Sequence, residues 1–166
     1  MGAGKTCIGS RLAERLKLPF IDADDEIERA AGCSISDIFD LYGEEEFRLG
    51  ERRVIKRLLE QPAQVLATGG GAFVDPDTRR SIKSIAISVW LRADLELLVS
   101  RTSRRNNRPL LNGRDHRKAL RELIEDRYPF YSQADLVVDS GTESPMVTVE
   151  KIMKILKRNQ PKKLQK

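Results

Sequence analysis

Apolar residues recur along the chain in two alternating patterns, one typical of amphipathic helices and the other of short buried strands. Ile8, Leu12 and Leu16 are spaced by four residues and predict a first helix that ends near Lys17. Short apolar runs predict strands over residues 19–22, 65–67, 85–91 and 135–139. Helical spacing predicts further helices over about 24–31, 34–41, 43–60 and 115–131, another after Leu95, and a last one over 144–158.

Strands that alternate with helices indicate βαβ units, so we predict one α/β domain over residues 1–158 with a parallel sheet flanked by helices. In open parallel sheets the ligand binds outside the carboxyl ends of the strands. Three segments with unusual composition stand at such positions, namely 2–6, 22–24 and 69–71. We expect these three segments to converge on one crevice.

The first of these segments, Gly2-Ala3-Gly4-Lys5-Thr6, is the second half of a phosphate-binding P-loop that runs into a helix. In such a loop, glycines let backbone N–H groups surround phosphate oxygens, the lysine reaches the β- and γ-phosphates, and the threonine hydroxyl can hold Mg²⁺. The alternative interpretation is a glycine turn before an ordinary amphipathic helix. Phosphoryl chemistry on a nucleotide is the leading hypothesis.

The complete P-loop motif has another glycine before Gly2 and an apolar strand before that glycine, and the sequence contains neither. We expect Met1 to be an internal methionine of a longer reading frame. The predicted fold class is thus a P-loop NTPase-like three-layer α/β fold whose N-terminal strand is missing from this chain. In the family that the motifs below resemble, such a strand lies between the strands at 65–67 and 85–91, which implies that its absence would leave those two unpaired.

The composition of the chain narrows the classes of protein and of function to which it could belong. With 166 residues, 40% apolar residues and interspersed charges, the chain is typical of a globular domain without a membrane span. Cys7 and Cys33 are too few for a disulfide framework, and one histidine gives no common metal-ligand cluster, so we expect a reducing cytoplasm. The formal charge of +5 suits anionic small molecules as well as nucleic acid. Residues 159–166 are predicted to be a disordered basic tail.

Paired carboxylates and a triple glycine supply the remaining candidate chemistry. Asp22 and Asp24 stand at a strand end, where two carboxylates could order the water shell of Mg²⁺ and accept a hydroxyl proton. The alternative role for Asp24 is capping of the helix that follows. Gly69, Gly70 and Gly71 could form a flexible turn, or could let the backbone approach a ligand closely.

Seven segments, in order along nearly the whole chain, resemble those of shikimate kinases. They are Gly2-Ala3-Gly4-Lys5-Thr6 with Ile8-Gly9, Phe20-Ile21-Asp22-Ala23-Asp24, Ser36-Asp37-Ile38-Phe39, Gly43-Glu44-Glu45-Glu46-Phe47-Arg48, Thr68-Gly69-Gly70-Gly71-Ala72, Arg108-Pro109-Leu110-Leu111 and Arg127-Tyr128-Pro129-Phe130-Tyr131. The resemblance implies ATP-dependent phosphorylation of the 3-hydroxyl of shikimate, which gives shikimate 3-phosphate in aromatic amino-acid biosynthesis.

The resemblance also implies the site residues. The nucleotide would be bound by the P-loop and two arginines, namely Gly2, Ala3, Gly4, Lys5, Thr6, Cys7, Arg101 and Arg108. Shikimate would be bound by Asp24, Arg48, Gly69, Gly70, Gly71 and Arg127. Mg²⁺ would be held by Thr6 and, through water, by Asp22, while the catalytic residues would be Lys5, Asp24 and Arg108. Two guanidinium groups suit a substrate carboxylate because they bind it bidentately.

Two further expectations concern the arginines. Residues 101–117 contain six arginines together with asparagine, proline and glycine, and are predicted to form a mobile basic lid. Glu51 follows Arg48 by one helical turn and is predicted to orient it; the alternative is a surface ion pair of little energetic value.

Other function classes remain open from the residues alone. One is a related small-molecule kinase, such as a gluconate kinase or a nucleoside monophosphate kinase. Another is a truncated, inactive homologue that binds only nucleotide or anions. Nucleic-acid binding ranks last, because no aromatic residues are interleaved with the arginines of 101–117. The expected partner is a small-molecule substrate, without nucleic acid or membrane, and the expected state is a monomer.

Overall fold

A computed structural model describes residues 2–103 and 115–158, and within them short parallel strands alternate with helices. The elements, in chain order, are α1 (Lys5–Leu16), β1 (Phe20–Asp22), α2 (Ala23–Ala31), α3 (Ile35–Leu59), β2 (Val65–Ala67), α4 (Pro76–Ile85), β3 (Val89–Arg92), α5 (Leu95–Thr102), α6 (His116–Tyr131), β4 (Leu136–Asp139) and α7 (Pro145–Arg158). This architecture confirms the predicted α/β class.

The strands form two parallel pairs. In the first pair Phe20 lies opposite Val65, and in the second Val89 lies opposite Leu136. The start of the second pair is fixed by Asp135, whose carboxylate accepts hydrogen bonds from the backbone N–H of Ser88 at 2.9 Å and from its hydroxyl at 2.6 Å. Among the described residues β2 and β3 are not hydrogen-bonded to each other, as expected for these two strands.

Three apolar clusters join the helices to one another and to the strands. The first joins α2 to α3 through Ile27, Phe47 and Ile55. The second joins α1 and α7 to the strands, and its centre is formed by buried side chains of both helices, including Ile8 and Ile152. The third joins α5 to α6. The helix that carries the P-loop is therefore packed directly on the strands whose ends form the crevice.

Acidic and hydroxyl residues start most helices by accepting hydrogen bonds from free backbone N–H groups. Asp22 caps α2 by accepting from the backbone of Asp24, so the interpretation of Asp24 itself as the cap is wrong. Ser34 caps α3 in a reciprocal capping box with Asp37. The role of Asp22 as cap leaves the Asp24 carboxyl group available for other contacts.

The helix break expected at Tyr42 and Gly43 is present as a kink in α3, where Gly43 has φ 82° and ψ 175°. One predicted element differs from the structure: the strand expected over 85–91 is shorter and begins at Val89, because α4 continues to Ile85. Asp75 and Pro76 mark the start of α4 as N-cap and first helical residue, but α4 contains only two large apolar residues, Ile82 and Ile85.

Two predicted segments fall largely or wholly outside the described residues. Only the ends of the expected lid are described, as the C-terminal turn of α5 and the N-terminal turn of α6. The expected tail over 159–166 is not described at all. Within the described part of the chain, no helix is both long enough and apolar enough to cross a bilayer.

The packing of α1 on β1 can be tested at Gly9. A Cβ atom there would lie 2.7 Å from Cε2 of Phe20, whereas a Cβ atom on Gly50 of α3 would have no neighbour within 4 Å. We expect Gly9→Ala to lower the free energy of unfolding by about 1–2 kcal/mol through overpacking. The control, Gly50→Ala, should raise it by about 0.5–1 kcal/mol because alanine favours the helix. Urea unfolding measures both, and equal effects would contradict close packing at Gly9.

Candidate active site

The P-loop segment forms a left-handed turn that places free N–H groups at the start of α1. Gly2 has φ 72° and Gly4, the N-cap, has φ 87°, a backbone conformation that residues with a Cβ atom rarely adopt. No side chain caps α1, so the first N–H groups and the positive end of the helix dipole remain available to an anion. The local geometry therefore supports the P-loop interpretation over an ordinary glycine turn.

Asp22 connects the P-loop helix to the next strand end. Its Oδ2 accepts a hydrogen bond of 2.8 Å from the Thr6 hydroxyl, while its Oδ1 accepts from the backbone of Asp24 at 3.1 Å. A hydroxyl oxygen and a carboxylate oxygen side by side at a phosphate-binding helix are the hard donors that Mg²⁺ prefers, together with water and phosphate oxygens. The donor set fits Mg²⁺, although among residues 2–103 and 115–158 no group of three or more acidic, cysteine or histidine side chains is placed to hold a metal ion by itself.

Asp24 lies beside this pair, with an unusual affinity for protons. Its pKa is raised to about 6, chiefly because burial disfavours the charged carboxylate, and further by the negative charges of Asp22 and Glu51, while the charge of Lys5 acts in the opposite direction. A carboxyl group with a pKa near the operating pH is suited to accept and release a proton. The lysine and the aspartate are thus close enough to influence each other.

The triple glycine after β2 is the point where the remaining side chains meet. A Cβ atom on Gly69 would lie 2.8 Å from Oε1 of Glu51 and 3.1 Å from Oδ1 of Asp24. A Cβ atom on Gly71 would lie 2.5 Å from Cζ of Arg48. Since real Cβ atoms do not approach so closely, the glycines are required for these side chains to occupy their places.

Arg48 is held on α3 by two glutamates. Glu51 Oε2 accepts a hydrogen bond of 2.6 Å from Nη1 of Arg48, and Glu44 accepts from Nη2 at 2.9 Å. Glu51 is only 3% exposed, so the predicted orienting role agrees with the structure and the alternative of a surface pair does not. The second carboxylate oxygen, Oε1 of Glu51, is buried and has no hydrogen-bond partner among the described residues.

Arg127 approaches the same turn from α6. A Cβ atom on Gly70 would lie 2.9 Å from Nη1 of Arg127 and 3.0 Å from the hydroxyl oxygen of Tyr131. The Tyr131 hydroxyl donates a hydrogen bond of 2.5 Å to the carbonyl of Gly70. Arg48 and Arg127 therefore contact neighbouring glycines of one turn although they come from different helices, 79 positions apart by their residue numbers, 48 and 127.

A second pocket, of about 190 Å³, opens on the other side of the P-loop. It is lined by the P-loop helix, by Arg101 and by the segment after β4, namely Gly4, Cys7, Ile8, Arg101, Ser140, Glu143, Pro145 and Thr148. Arg101 donates a hydrogen bond of 2.7 Å to the carbonyl of Gly141, and the Ser140 hydroxyl donates to the carbonyl of Ala3 at 3.1 Å. These bonds tie the segment after β4 to the P-loop.

The predicted residues fall into two groups in space. One group surrounds the crevice between the P-loop and the triple glycine, and consists of Lys5, Thr6, Asp22, Asp24, Arg48, Gly69, Gly70, Gly71 and Arg127. The other, with Gly4, Cys7 and Arg101, lines the pocket beyond the P-loop. Arg108 lies outside the described residues.

Sequence reasoning missed three residues of this region: Tyr131, Ser140 and Gly141. Ser140 and Gly141 directly follow β4, and the rule that ligands bind at the carboxyl ends of parallel strands could have pointed to them. Tyr131 stands in the Arg127-Tyr128-Pro129-Phe130-Tyr131 segment, but nothing in the sequence says which of its two tyrosines faces the glycines.

A phosphate-binding turn, oxygen donors for a divalent cation and a neighbouring crevice with one proton-accepting carboxylate define a P-loop phosphotransferase that acts on a small molecule. Comparison with known proteins agrees. The family model described as shikimate kinase matches residues 1–157. A shikimate kinase of Paramagnetospirillum magneticum is 58% identical over 153 residues, which are 92% of this chain and 78% of that protein. The chain belongs to the shikimate kinase family.

Solved structures give the same answer. The structure of shikimate kinase from Acinetobacter baumannii in complex with shikimate has a TM-score of 0.94 and 39% identity, and the match covers 98% of this chain and 91% of that one. A gluconokinase from Sinorhizobium meliloti has a TM-score of 0.64 at 17% identity, covering 95% of this chain and 87% of that one. The second likeness shows a shared fold only.

The environment of Asp24 predicts a pH-dependent stability. Its folded pKa of about 6 exceeds the ordinary value of 3.8, so the folded state binds the proton more tightly than the unfolded state. The resulting stabilisation is present below pH 3.8 and is lost as the pH rises through 6. Asp24→Asn does not titrate, and we expect it to exceed the wild type in unfolding free energy by about 2–3 kcal/mol more at pH 7.5 than at pH 4.

Urea unfolding at the two pH values, without nucleotide or metal, measures this difference. A Tm or unfolding free energy that differs between the two proteins by the same amount at both pH values would contradict a raised pKa. Asp25→Asn is the matched control, because Asp25 is an exposed carboxylate on the same helix and the change keeps Asp24.

Proposed function

We propose that this protein transfers the γ-phosphoryl group of ATP to the 3-hydroxyl of shikimate, giving shikimate 3-phosphate and ADP for aromatic amino-acid biosynthesis. The observation that carries the proposal is the arrangement around the triple glycine: the Asp24 carboxylate at Gly69, beside the Glu51 carboxylate that pairs with Arg48, and two guanidinium groups, Arg48 and Arg127, at Gly71 and Gly70. A ligand spanning this turn needs a hydroxyl at one end and a carboxylate at the other. Shikimate has both, and it is the ligand named for the related Acinetobacter baumannii structure.

At the hydroxyl end, Asp24 is the proton acceptor. The new bond forms between the hydroxyl oxygen and the γ-phosphorus as the bond from that phosphorus to the β,γ-bridging oxygen breaks, and the hydroxyl proton passes to Asp24. At neutral pH a group with a pKa of about 6 is mostly ionised and still holds a proton well enough to take it from the reacting hydroxyl. Capping of α2 by Asp22 keeps the Asp24 carboxyl group free for this role.

At the other end, Arg48 and Arg127 bind the substrate carboxylate. Guanidinium groups match a carboxylate in plane and charge, and two of them fix both the position and the direction of the ring. Glu51 supports this role because its buried carboxylate holds Arg48 against Gly71. Positioning of this kind supplies much of the rate in phosphoryl transfer, where the protein performs little covalent chemistry.

The phosphates lie on the N-terminus of α1. Backbone N–H groups of the segment from Gly2 to Cys7 cradle them, and Lys5 balances their charge. Mg²⁺ would be held by Thr6 and, through water, by Asp22; when bound it neutralises charge on the β- and γ-phosphates. Arg101 lines the pocket beyond the P-loop, where the rest of the nucleotide fits, and Arg108 would approach the transferred group from the lid.

The remaining parts of the proposal concern domain organisation, oligomeric state, cellular location and binding partners. The protein is one domain over residues 1–158 and a cytoplasmic monomer that binds neither nucleic acid nor membrane. Gluconate is an open-chain hydroxy acid that also carries a carboxylate, so the family match and not the two arginines favours shikimate over it. A silent homologue would bind ATP without turnover.

A coupled ADP-release assay tests the proposal directly. With ATP, MgCl₂ and shikimate we expect ADP release that saturates with shikimate, and with gluconate in its place we expect only background. Asp24→Asn should lower turnover at least a hundredfold and leave the affinity for ATP within about twofold, because it removes the proton acceptor but no phosphate contact. ATP binding without shikimate-dependent turnover by the folded wild type would support the silent homologue instead.

Arg127→Ala separates the carboxylate end from the chemistry. We expect the KM for shikimate to rise tenfold to a hundredfold with a smaller effect on kcat and none on the KM for ATP, because a charge-assisted pair to the substrate is lost. Arg121→Ala is the matched control: Arg121 is an exposed arginine on the same helix and should leave all three constants unchanged. A rise in the KM for ATP would contradict the assignment of Arg127 to the substrate.

A further inference from the structure

Tyr131 occupies a position that no part of the proposed reaction uses. It is the last residue of α6, and its hydroxyl donates a hydrogen bond of 2.5 Å to the carbonyl of Gly70. Its hydroxyl oxygen and Nη1 of Arg127 both lie within about 3 Å of the place that a Cβ atom of Gly70 would take. The middle glycine of the turn is thus covered by these two side chains together.

The surroundings of the Tyr131 hydroxyl link it to the arginine as well. Burial raises the pKa of Tyr131, while the charge of Arg127 and a side-chain hydrogen bond from it act in the opposite direction. A phenol that donates to a carbonyl and accepts from a guanidinium uses both sides of its oxygen. Each contact limits the freedom of the group at its other end.

The ring of Tyr131 is itself fixed. Its centroid lies 5.9 Å from that of Trp90 on β3 and 6.2 Å from that of Tyr128, and the Trp90 and Tyr128 rings meet edge to face at 4.7 Å. Aromatic packing of this kind restricts the motion of the ring, so that little further entropy is lost when its hydroxyl group forms a hydrogen bond. The hydroxyl group is therefore presented to Gly70 from a rigid base on the strand.

We infer that Tyr131 is a positioning residue for the substrate carboxylate: its hydroxyl joins the Gly70 carbonyl to the Arg127 guanidinium and so holds the turn and the arginine in one binding geometry. The inference rests on the proposed function, since it assumes that Arg127 binds the carboxylate of shikimate. Without the hydroxyl, Arg127 keeps its charge but loses a fixed direction, and the Gly70 carbonyl loses its donor. The affinity of the site for the substrate carboxylate should fall, because binding would then have to order Arg127 and the glycine turn, which costs free energy.

The chain offers a closely matched control in Tyr128. It stands one turn earlier on α6, packs on the same tryptophan, and donates its hydroxyl to the carbonyl of Ala93 at 2.7 Å. That carbonyl follows β3 and does not belong to the glycine turn. Tyr128→Phe and Tyr131→Phe thus each remove one partly buried phenol-to-carbonyl hydrogen bond and keep the ring, so their effects on folding should be similar.

Steady-state kinetics of the two variants test the inference. We expect Tyr131→Phe to raise the KM for shikimate about tenfold, with kcat within threefold and the KM for ATP within twofold of the wild type. Tyr128→Phe should leave the KM for shikimate within twofold. Thermal unfolding of both variants shows whether a loss of structure contributes. If either is partly unfolded at 25 °C, the comparison is made at 10 °C by the quenching of Trp90 fluorescence on addition of shikimate.

A double-mutant cycle distinguishes positioning from a general structural effect. If Tyr131 acts through Arg127, then Tyr131→Phe should weaken shikimate binding less than twofold in the Arg127→Ala background. The carboxamide analogue of shikimate should likewise bind Tyr131→Phe and wild type almost equally.

The outcomes distinguish a failure of the proposed function from a failure of the proposed role of Tyr131. If the wild type does not turn over shikimate, the proposed function fails and the inference fails with it. If the wild type is active but Tyr131→Phe and Tyr128→Phe behave alike, or if the tenfold loss persists in the Arg127→Ala background or with the carboxamide, only the role of Tyr131 is overturned.

Discussion

Steric access at the turn after β2 is the constraint on which the rest of the site depends. Gly69, Gly70 and Gly71 have no side chains, and the space this leaves is taken by carboxylates and guanidiniums from three helices. A single methyl group at Gly71 would collide with Arg48. The backbone of the turn therefore serves as a surface against which charged groups are packed, and the placement of each charge depends on the absence of a Cβ atom.

The charges gathered there are arranged so that unlike neighbours hold one another, while neighbouring negative charges raise the pKa of Asp24. Glu51 is buried and paired through Oε2 with Arg48, which compensates for the removal of its charge from water. Its other oxygen points to the same glycine as Asp24, and its charge contributes to the raised pKa of that residue. The buried Glu51 thus acts at both ends of the crevice. It orients Arg48, and its negative charge disfavours the ionised form of Asp24.

Most helices and strands and the P-loop could be predicted from the sequence, because they depend on local signals. Helix caps, apolar periodicity and glycine clusters depend on residues a few positions apart, so most element boundaries and the P-loop were predicted closely. The helix α4 was missed although Asp75 and Pro76 mark its start, because its two large apolar residues, Ile82 and Ile85, are too few to predict a helix from apolar spacing. Asp24 was a plausible helix cap because cap residues of one type are interchangeable by sequence, and only the hydrogen bond to Asp22 decides between them.

The sequence by itself determined the fold class, the family and the residue types that the reaction needs, because motif spacing and periodicity are properties of the chain alone. The tertiary structure decided which of these residues meet. Arg48 and Arg127 come to one glycine turn only because α3 and α6 both approach it in the folded chain. Tyr131 rather than Tyr128 reaches Gly70, because the Tyr128 hydroxyl is directed to the carbonyl of Ala93. Burial and charge neighbours, which set the pKa of Asp24, likewise arise only when distant segments share one volume of low dielectric.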